Sequence, residues 1–202
     1  MWGDGSAIAV CPMSEDDYPY DFRGLVQHEA GGHGFGKLGD EYIYHNAFLQ
    51  SCNCNCCPQP HVEAFNAAKA NGWYANLSLT GNMYNVPWSH LIFDEKYQNT
   101  VDIYEGGYMH TRGVFRSEAT SCMNNNIPYF SAISREEIVK RIKRYAGEEY
   151  SFEEWKANDV ALAVNDEEVE TRSWKEFRNR IIHSKQQPPK FMGDKPKFKS
   201  NK

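Results

Sequence analysis

The chain has 202 residues, of which 41% are hydrophobic and 14% aromatic, enough to bury a core and too apolar for a globally disordered polymer. Its formal net charge of −5 is unevenly spread: residues 185–202 hold six lysines against the single acid Asp194, and Pro188, Pro189 and Pro196 break that run, so it reads as a solvated flexible tail and not as a nucleic-acid surface. No stretch approaches the roughly 20 apolar residues that cross a bilayer, and Met1 to Cys11 has neither the basic start nor the long apolar run of a secretory signal.

In chain order, Ala7 to Val10 is a candidate short strand, and the acidic stretch from Ser14 to Tyr20 is turn-like. Asp21 is a credible N-cap for a helix with Phe22, Leu25 and Val26 on its packed side. That helix is expected to run through His28 and to stop at the glycines Gly31, Gly32, Gly34 and Gly36. Residues 43 to 62 lack periodicity and read as an exposed loop. Within it Cys52, Cys54, Cys56 and Cys57 stand together, with Cys11 and Cys122 apart. The spacing C-x-C-x-C-C lacks the paired knuckles of a structural zinc site, so disulfides or partly free thiols are the first reading and a metal cluster the lesser one.

Val62 to Trp73 is alanine-rich and predicts a helix ended by Asn71-Gly72. Asn76-Leu77-Ser78 is a formal glycosylation sequon. From Thr80 to Asn126 the chain is rich in Gly, Tyr and Asn and reads as ordered loops with short strands, turning at Gly81-Asn82, Gly106-Gly107 and Arg112-Gly113. Three helix starts follow, each with a serine and a glutamate three positions on: Ser134 with Glu137, Ser151 with Glu154, and Ser173 with Glu176. The first leads into a stripe of Ile138, Ile142 and Tyr145, the last into Phe177 and Ile181.

The informative segment is His28-Glu29-Ala30-Gly31-Gly32-His33. A zinc hydrolase needs neutral imidazoles converging on one ion and a carboxylate placed to take a proton from water. In H-E-x-x-H the histidines are four apart and share a helical face. Here they are five apart, which on an α-helix is about 500° of rotation and leaves the rings roughly 140° out of line. Gly31 and Gly32 supply a remedy, because a backbone without side chains can widen into a π-type turn.

The longer string H-E-A-G-G-H-G-F-G-K-L-G-D-E-Y resembles the active-site signature of a bacterial metallopeptidase family related to IgA proteases, in the metzincin-like branch of zinc peptidases. A second block resembles the same family: Tyr104-Glu105-Gly106-Gly107, then Gly113, Phe115, Arg116 and Ser121-Cys122-Met123. The resemblance spans residues 28 to 123. It implies zinc held by His28 and His33, with Asp40 as third protein ligand and Glu41 its rival, Glu29 as general base, and Met123 as an apolar floor beneath the metal. Two departures are the extra residue before His33 and a third ligand seven residues after it, where six is usual.

An oxyanion donor is also required, for which Tyr104, Tyr108 and Arg116 are candidates. The substrate is expected to be a peptide or protein lying extended along a sheet edge. The predicted fold is α+β and metzincin-like, with an early metal helix, a loop-rich middle and a helical second half. The catalytic region is placed at residues 1–184 and the tail at 185–202. The family's usual sheet and helix ahead of the metal helix exceed the twenty-seven residues that precede His28. The expectation is therefore a part of a longer protein, secreted or at the cell surface, with an upstream domain of the same parent as a partner. The competing function is a catalytically weak metal-binding module for extracellular peptides or glycans.

Overall fold

The computed structural model describes residues 9, 11, 21–51 and 61–160. The cysteines from Cys52 to Cys57, the strand expected at Ala7 to Val10, the helix expected from Ser173 and the basic tail lie outside the described residues.

The architecture mixes helices with one small sheet. The first helix, α1 (Phe22–Val26), starts where the Asp21 side chain accepts the Arg23 amide, and it continues directly into a π-helix over Gln27–Gly36. Of the three residues expected on its packed side only Leu25 is buried; Phe22 and Val26 are exposed, because the face of α1 that docks is Gly24 with Leu25. A Cβ on Gly24 would lie 1.8 Å from the Asn126 carbonyl oxygen, so only glycine permits that approach. The glycine run does not stop the helix. It carries the helix to Gly36, where Lys37 turns left-handed at φ 56° and Arg141 Nε donates to the Gly36 carbonyl.

The first part of the segment read as a loop, residues 43–51, is ordered instead: Ile43–Phe48 form β1, followed by a 3₁₀ turn at Leu49–Ser51. The predicted alanine-rich helix is α2 (His61–Ala70), and Gly72 at φ 71° ends it as expected. Next come β2 (Leu77–Ser78), α3 (Ser89–Ile92), β3 (Tyr104–Gly107) and β4 (Met109–Arg116). Arg112-Gly113 is no turn but lies inside β4. The reversal falls instead at Tyr108-Met109, both at positive φ, between the paired residues Gly107 and His110. The hairpin thus has a two-residue connection of the primed kind, built without the usual Asn or Gly at its centre.

The centre of the sheet is β4. It pairs antiparallel with β3 on one edge; β1, parallel, and β2, antiparallel, share the other. Successive strand residues face opposite sides. Val114 packs with Leu49, Phe65, Tyr74, Leu77 and Tyr108, whereas Phe115 packs against Trp88, Leu91, Tyr97, Ile133 and Trp155. These two cores hold the sheet between them, each fully buried large side chain contributing about 1.5–3 kcal/mol.

The chain then forms α4 (Cys122–Asn125), α5 (Ala132–Ala146) and α6 (Phe152–Asn158). Helix α5 begins at Ala132, earlier than the Ser134 start that the sequence suggests; Ser134 is buried and paired with Ser131. Its first amide is satisfied from a distance, by the Glu118 carboxylate at 2.6 Å. The expected stripe is buried only in part, since Ile142 and Tyr145 are exposed and α5 docks through its first turns. Helix α6 does start on Ser151, which accepts the Glu154 amide, and it stacks Trp155 on Tyr97. Among the described residues no helix is long and apolar enough to cross a membrane.

Candidate metal centre

A π-helix closes i→i+5 hydrogen bonds at about 4.4 residues per turn, so residues five apart stand nearly above one another. This resolves the spacing of the two histidines. Buried residues of the π-helix are His28, Glu29, Gly32, His33 and Gly36, one inward face with a period between four and five. His28 Nε2 and His33 Nε2 lie 3.2 Å apart. Each is 2.9 Å from Asp40 Oδ1. The widened stretch covers the whole segment from Gln27 to Gly36, well beyond the single turn that the sequence suggests.

Both rings are oriented by backbone carbonyls. His28 Nδ1 donates to the Cys122 carbonyl at 2.9 Å and His33 Nδ1 to the Leu38 carbonyl at 2.8 Å, which turns both Nε2 atoms to the common point. Met123 lies beneath: a Cβ on Gly32 would sit 2.3 Å from its Sδ, and the residue is fully buried. Gly32 is therefore required by packing and not by backbone angles, since its φ is ordinary.

Asp40 is fixed from three directions. Asn76 accepts the Gly39 amide at 2.8 Å and donates both to the Gly39 carbonyl and to Glu41 Oε1. The Tyr108 amide donates to the Asp40 carbonyl, and the Glu41 amide to the Met123 carbonyl. Both Glu41 oxygens are engaged outside the triad: Oε1 accepts from Asn76 and Oε2 accepts the Ser121 hydroxyl at 2.6 Å, so Glu41 ties the Asp40 segment to the start of α4. Between the two acids left open by the sequence, geometry selects Asp40. Asn76 is fully buried and engaged on every polar atom, so the sequon is a structural joint and not an attachment point for a glycan.

The electrostatics agree with a cation site. Burial alone would raise the Asp40 carboxyl, but the two histidines hold it far below the usual carboxylate range. Burial pulls the His33 imidazole down, yet the Asp40 charge and hydrogen bond, with the Leu38 carbonyl, push it well above its ordinary value. Without an ion the triad thus keeps a proton where a cation would sit. Glu29 is also buried and is raised chiefly by burial. Its Oε2 has no hydrogen-bond partner among the described residues, an expense that a fold tolerates where the group has a task.

The donor set fits a metal. One oxygen and two imidazole nitrogens at mutual distances of 2.9–3.2 Å compare with about 3.0–3.4 Å for neighbouring ligands held ~2.1 Å from an ion. Among the described residues this triad is the group of three or more His, Cys, Asp or Glu able to hold one.

The three candidate oxyanion donors have structural occupations. Arg116 donates to the carbonyls of Glu105, Gly106, Glu118 and Ala119. Tyr104 lies over the Arg116 guanidinium, and the Tyr108 ring packs between Phe65 and Tyr74. Sequence reasoning passed over Tyr42, whose ring stacks on His28 at 6.1 Å and whose phenol bonds the Asp40 carboxylate. Burial, and then the Asp40 charge, hold that phenol protonated far above its ordinary range. Its only sequence signal is adjacency to Asp40-Glu41.

No family model matches the chain, and no curated protein matches it.

Proposed function

We propose that this protein is a zinc-dependent endopeptidase of the metzincin-like kind related to IgA proteases, with His28, His33 and Asp40 as metal ligands and Glu29 as general base. The observation that carries this reading is the convergence of both Nε2 atoms and Asp40 Oδ1 beside a buried carboxylate oxygen that has no hydrogen-bond partner among the described residues. When bound, the ion supplies Lewis acidity at the open side of the triad.

Glu29 takes a proton from the attacking water and returns it to the departing amine. Burial raises its pKa above the ordinary carboxylate value, which makes it a stronger base than an exposed glutamate. Tyr42, protonated and turned to the triad, is the donor best placed for the developing oxyanion. Met123 and Gly32 exclude water from beneath. A peptide in extended form is the substrate class, and secretion or surface display the setting.

A His-His-carboxylate face also holds iron(II) in oxygenases, and the observed spacing suits an octahedral face about as well as a tetrahedral one. An oxygenase has no use for the buried base beside it, which favours hydrolysis. The test is peptide turnover by chelator-stripped protein reconstituted with zinc or with iron(II), in the parent and in Glu29→Gln. Zinc should restore the parent, and Glu29→Gln should bind as much zinc and lose about 10²–10⁴-fold in rate. Parental turnover by the variant, or restoration by iron alone, would overturn the assignment.

A further inference from the structure

The groups that orient the triad from behind come from two short segments. The Leu38 carbonyl, two residues ahead of Asp40, accepts from His33 Nδ1, and the Cys122 carbonyl accepts from His28 Nδ1. Residues 38–41 therefore hold one side of the centre and residues 121–123 the other, with Met123 Sδ lying against Gly32. Among the described residues, the hydrogen bonds that join these segments belong to Glu41. Its amide donates to the Met123 carbonyl at 2.8 Å, and its Oε2 accepts the Ser121 hydroxyl at 2.6 Å. Its Oε1 accepts from Asn76 at 2.8 Å, and the Asn76 side chain also bonds the amide and the carbonyl of Gly39. Glu41 has 0% exposure, so water does not compete for these contacts.

We propose that Glu41 is the positioning residue of the metal centre: clasped by Ser121 and Asn76, it sets the distance between the segment that carries Asp40 and orients His33 and the turn that orients His28. It thereby fixes how closely the three ligand atoms approach one ion. The proposal rests on the metal-binding part of the reading above and not on peptide hydrolysis. Sequence position makes Glu41 the rival of Asp40 for the ion, and the engagement of both its oxygens elsewhere gives it this other task. Ligand atoms held at mutual distances of 2.9–3.2 Å stay there only while the backbone groups behind them keep their places. Removing a group that orients a ligand from behind commonly weakens metal affinity about 10–100-fold. The bland account is that Glu41 serves folding alone, as a buried acid whose acceptors are satisfied. The two accounts differ in a variant that is still folded.

Glu41→Ala removes both side-chain contacts. Glu41→Gln keeps them, with its carbonyl oxygen accepting from Asn76 and its amide donating to the Ser121 hydroxyl oxygen. Val101→Ala is the control, since Val101 is fully buried in the core around Trp88 and Trp155 and its loss destabilises through a cavity. On the full chain, near-UV circular dichroism verifies folding, zinc affinity is read by competition with a chromophoric chelator, and the visible bands of bound cobalt(II) report ligand geometry. Zinc affinity of folded Glu41→Ala should fall about 10–100-fold with altered cobalt bands, Glu41→Gln should recover most of it, and Val101→Ala, though less stable, should bind zinc as the parent does. Parental affinity in folded Glu41→Ala, a glutamine variant no better than the alanine one, or an equal loss in Val101→Ala would each overturn the proposal. Where Glu41→Ala does not fold, Ser121→Ala removes one contact and is read the same way: its zinc affinity should fall, and a parental value would overturn the role. A parent that binds no zinc would remove the metal reading and this proposal together, whereas a parent that binds zinc and cleaves no peptide fails the peptidase assignment alone.

Discussion

Adding one methyl group at Gly32 is the most direct test of how the metal centre is built. In Gly32→Ala the new Cβ falls 2.3 Å from Met123 Sδ and 2.9 Å from its Cε, against the ~3.5–4.0 Å of an ordinary contact. The sulfur must move by more than an ångström, and Met123 is fully buried. Overpacking of this kind costs about 1–3 kcal/mol. Gly31→Ala is the control, because its Cβ meets only Phe130 at 3.4 Å and removing glycine's freedom in the unfolded chain should stabilise by about 0.4–1 kcal/mol. The two neighbouring substitutions should therefore differ by roughly 1.5–4 kcal/mol in urea unfolding, with opposite signs. Zinc affinity, read by competition with a chromophoric chelator, should fall in Gly32→Ala and hold in Gly31→Ala, since the displaced Met123 supports the face between the two histidines. In a double-mutant cycle Met123→Ala should relieve part of the Gly32→Ala cost. Equal stability of the two alanine variants, or strict additivity in the cycle, would refute the packing argument.

Other outcomes follow from the same coordinates. Although burial pulls the His33 imidazole down, the Asp40 charge and hydrogen bond lift it to about 9 without metal, so zinc uptake at neutral pH should release a proton from the triad, and affinity should rise with pH up to that value by as much as about tenfold per unit; calorimetry in buffers of different ionisation enthalpy reads this, and a flat affinity between pH 6 and 8 would contradict it. Glu118 is pushed up to about 7, first by burial, although it accepts from Tyr129 and Ala132. Its native pKa exceeds the unfolded one, so its contribution is fully present below about pH 4.5 and is lost as pH rises through 7, about 3 kcal/mol in all. Urea midpoints of Glu118→Gln should be less sensitive between pH 5 and 8 than the parent's, and parallel curves would rule this out. Replacing Cys52, Cys54, Cys56 and Cys57 together by Ser should leave an ion bound at His28, His33 and Asp40; loss of that ion from a folded variant would count against the separation of the thiols from the triad.

That His28, His33 and one of Asp40 and Glu41 could gather into a metal-binding group was legible in the sequence because they are chemically distinctive residues at short range. Local signals also placed the Asp21 and Ser151 caps and the end of α2 at Gly72, since capping and glycine conformations depend on a few adjacent residues. What stayed out of reach depends on partners distant in the chain. That the histidines converge rests on ten residues of π-helix, which glycine composition permits but which docking of Gly24 on Asn126 and Gly32 on Met123 selects. The choice of Asp40 over Glu41 was made by Asn76 and Ser121, which engage Glu41 from thirty-five and eighty positions away. Arg116 and Tyr108 look like chemistry in sequence and prove to be joints of the sheet and core, because only folding reveals which carbonyls and rings surround a side chain. The sequence determines which atoms are available for chemistry, and the tertiary structure decides which of them face one another, because hydrogen bonding and close packing act between neighbours in space whatever their separation along the chain.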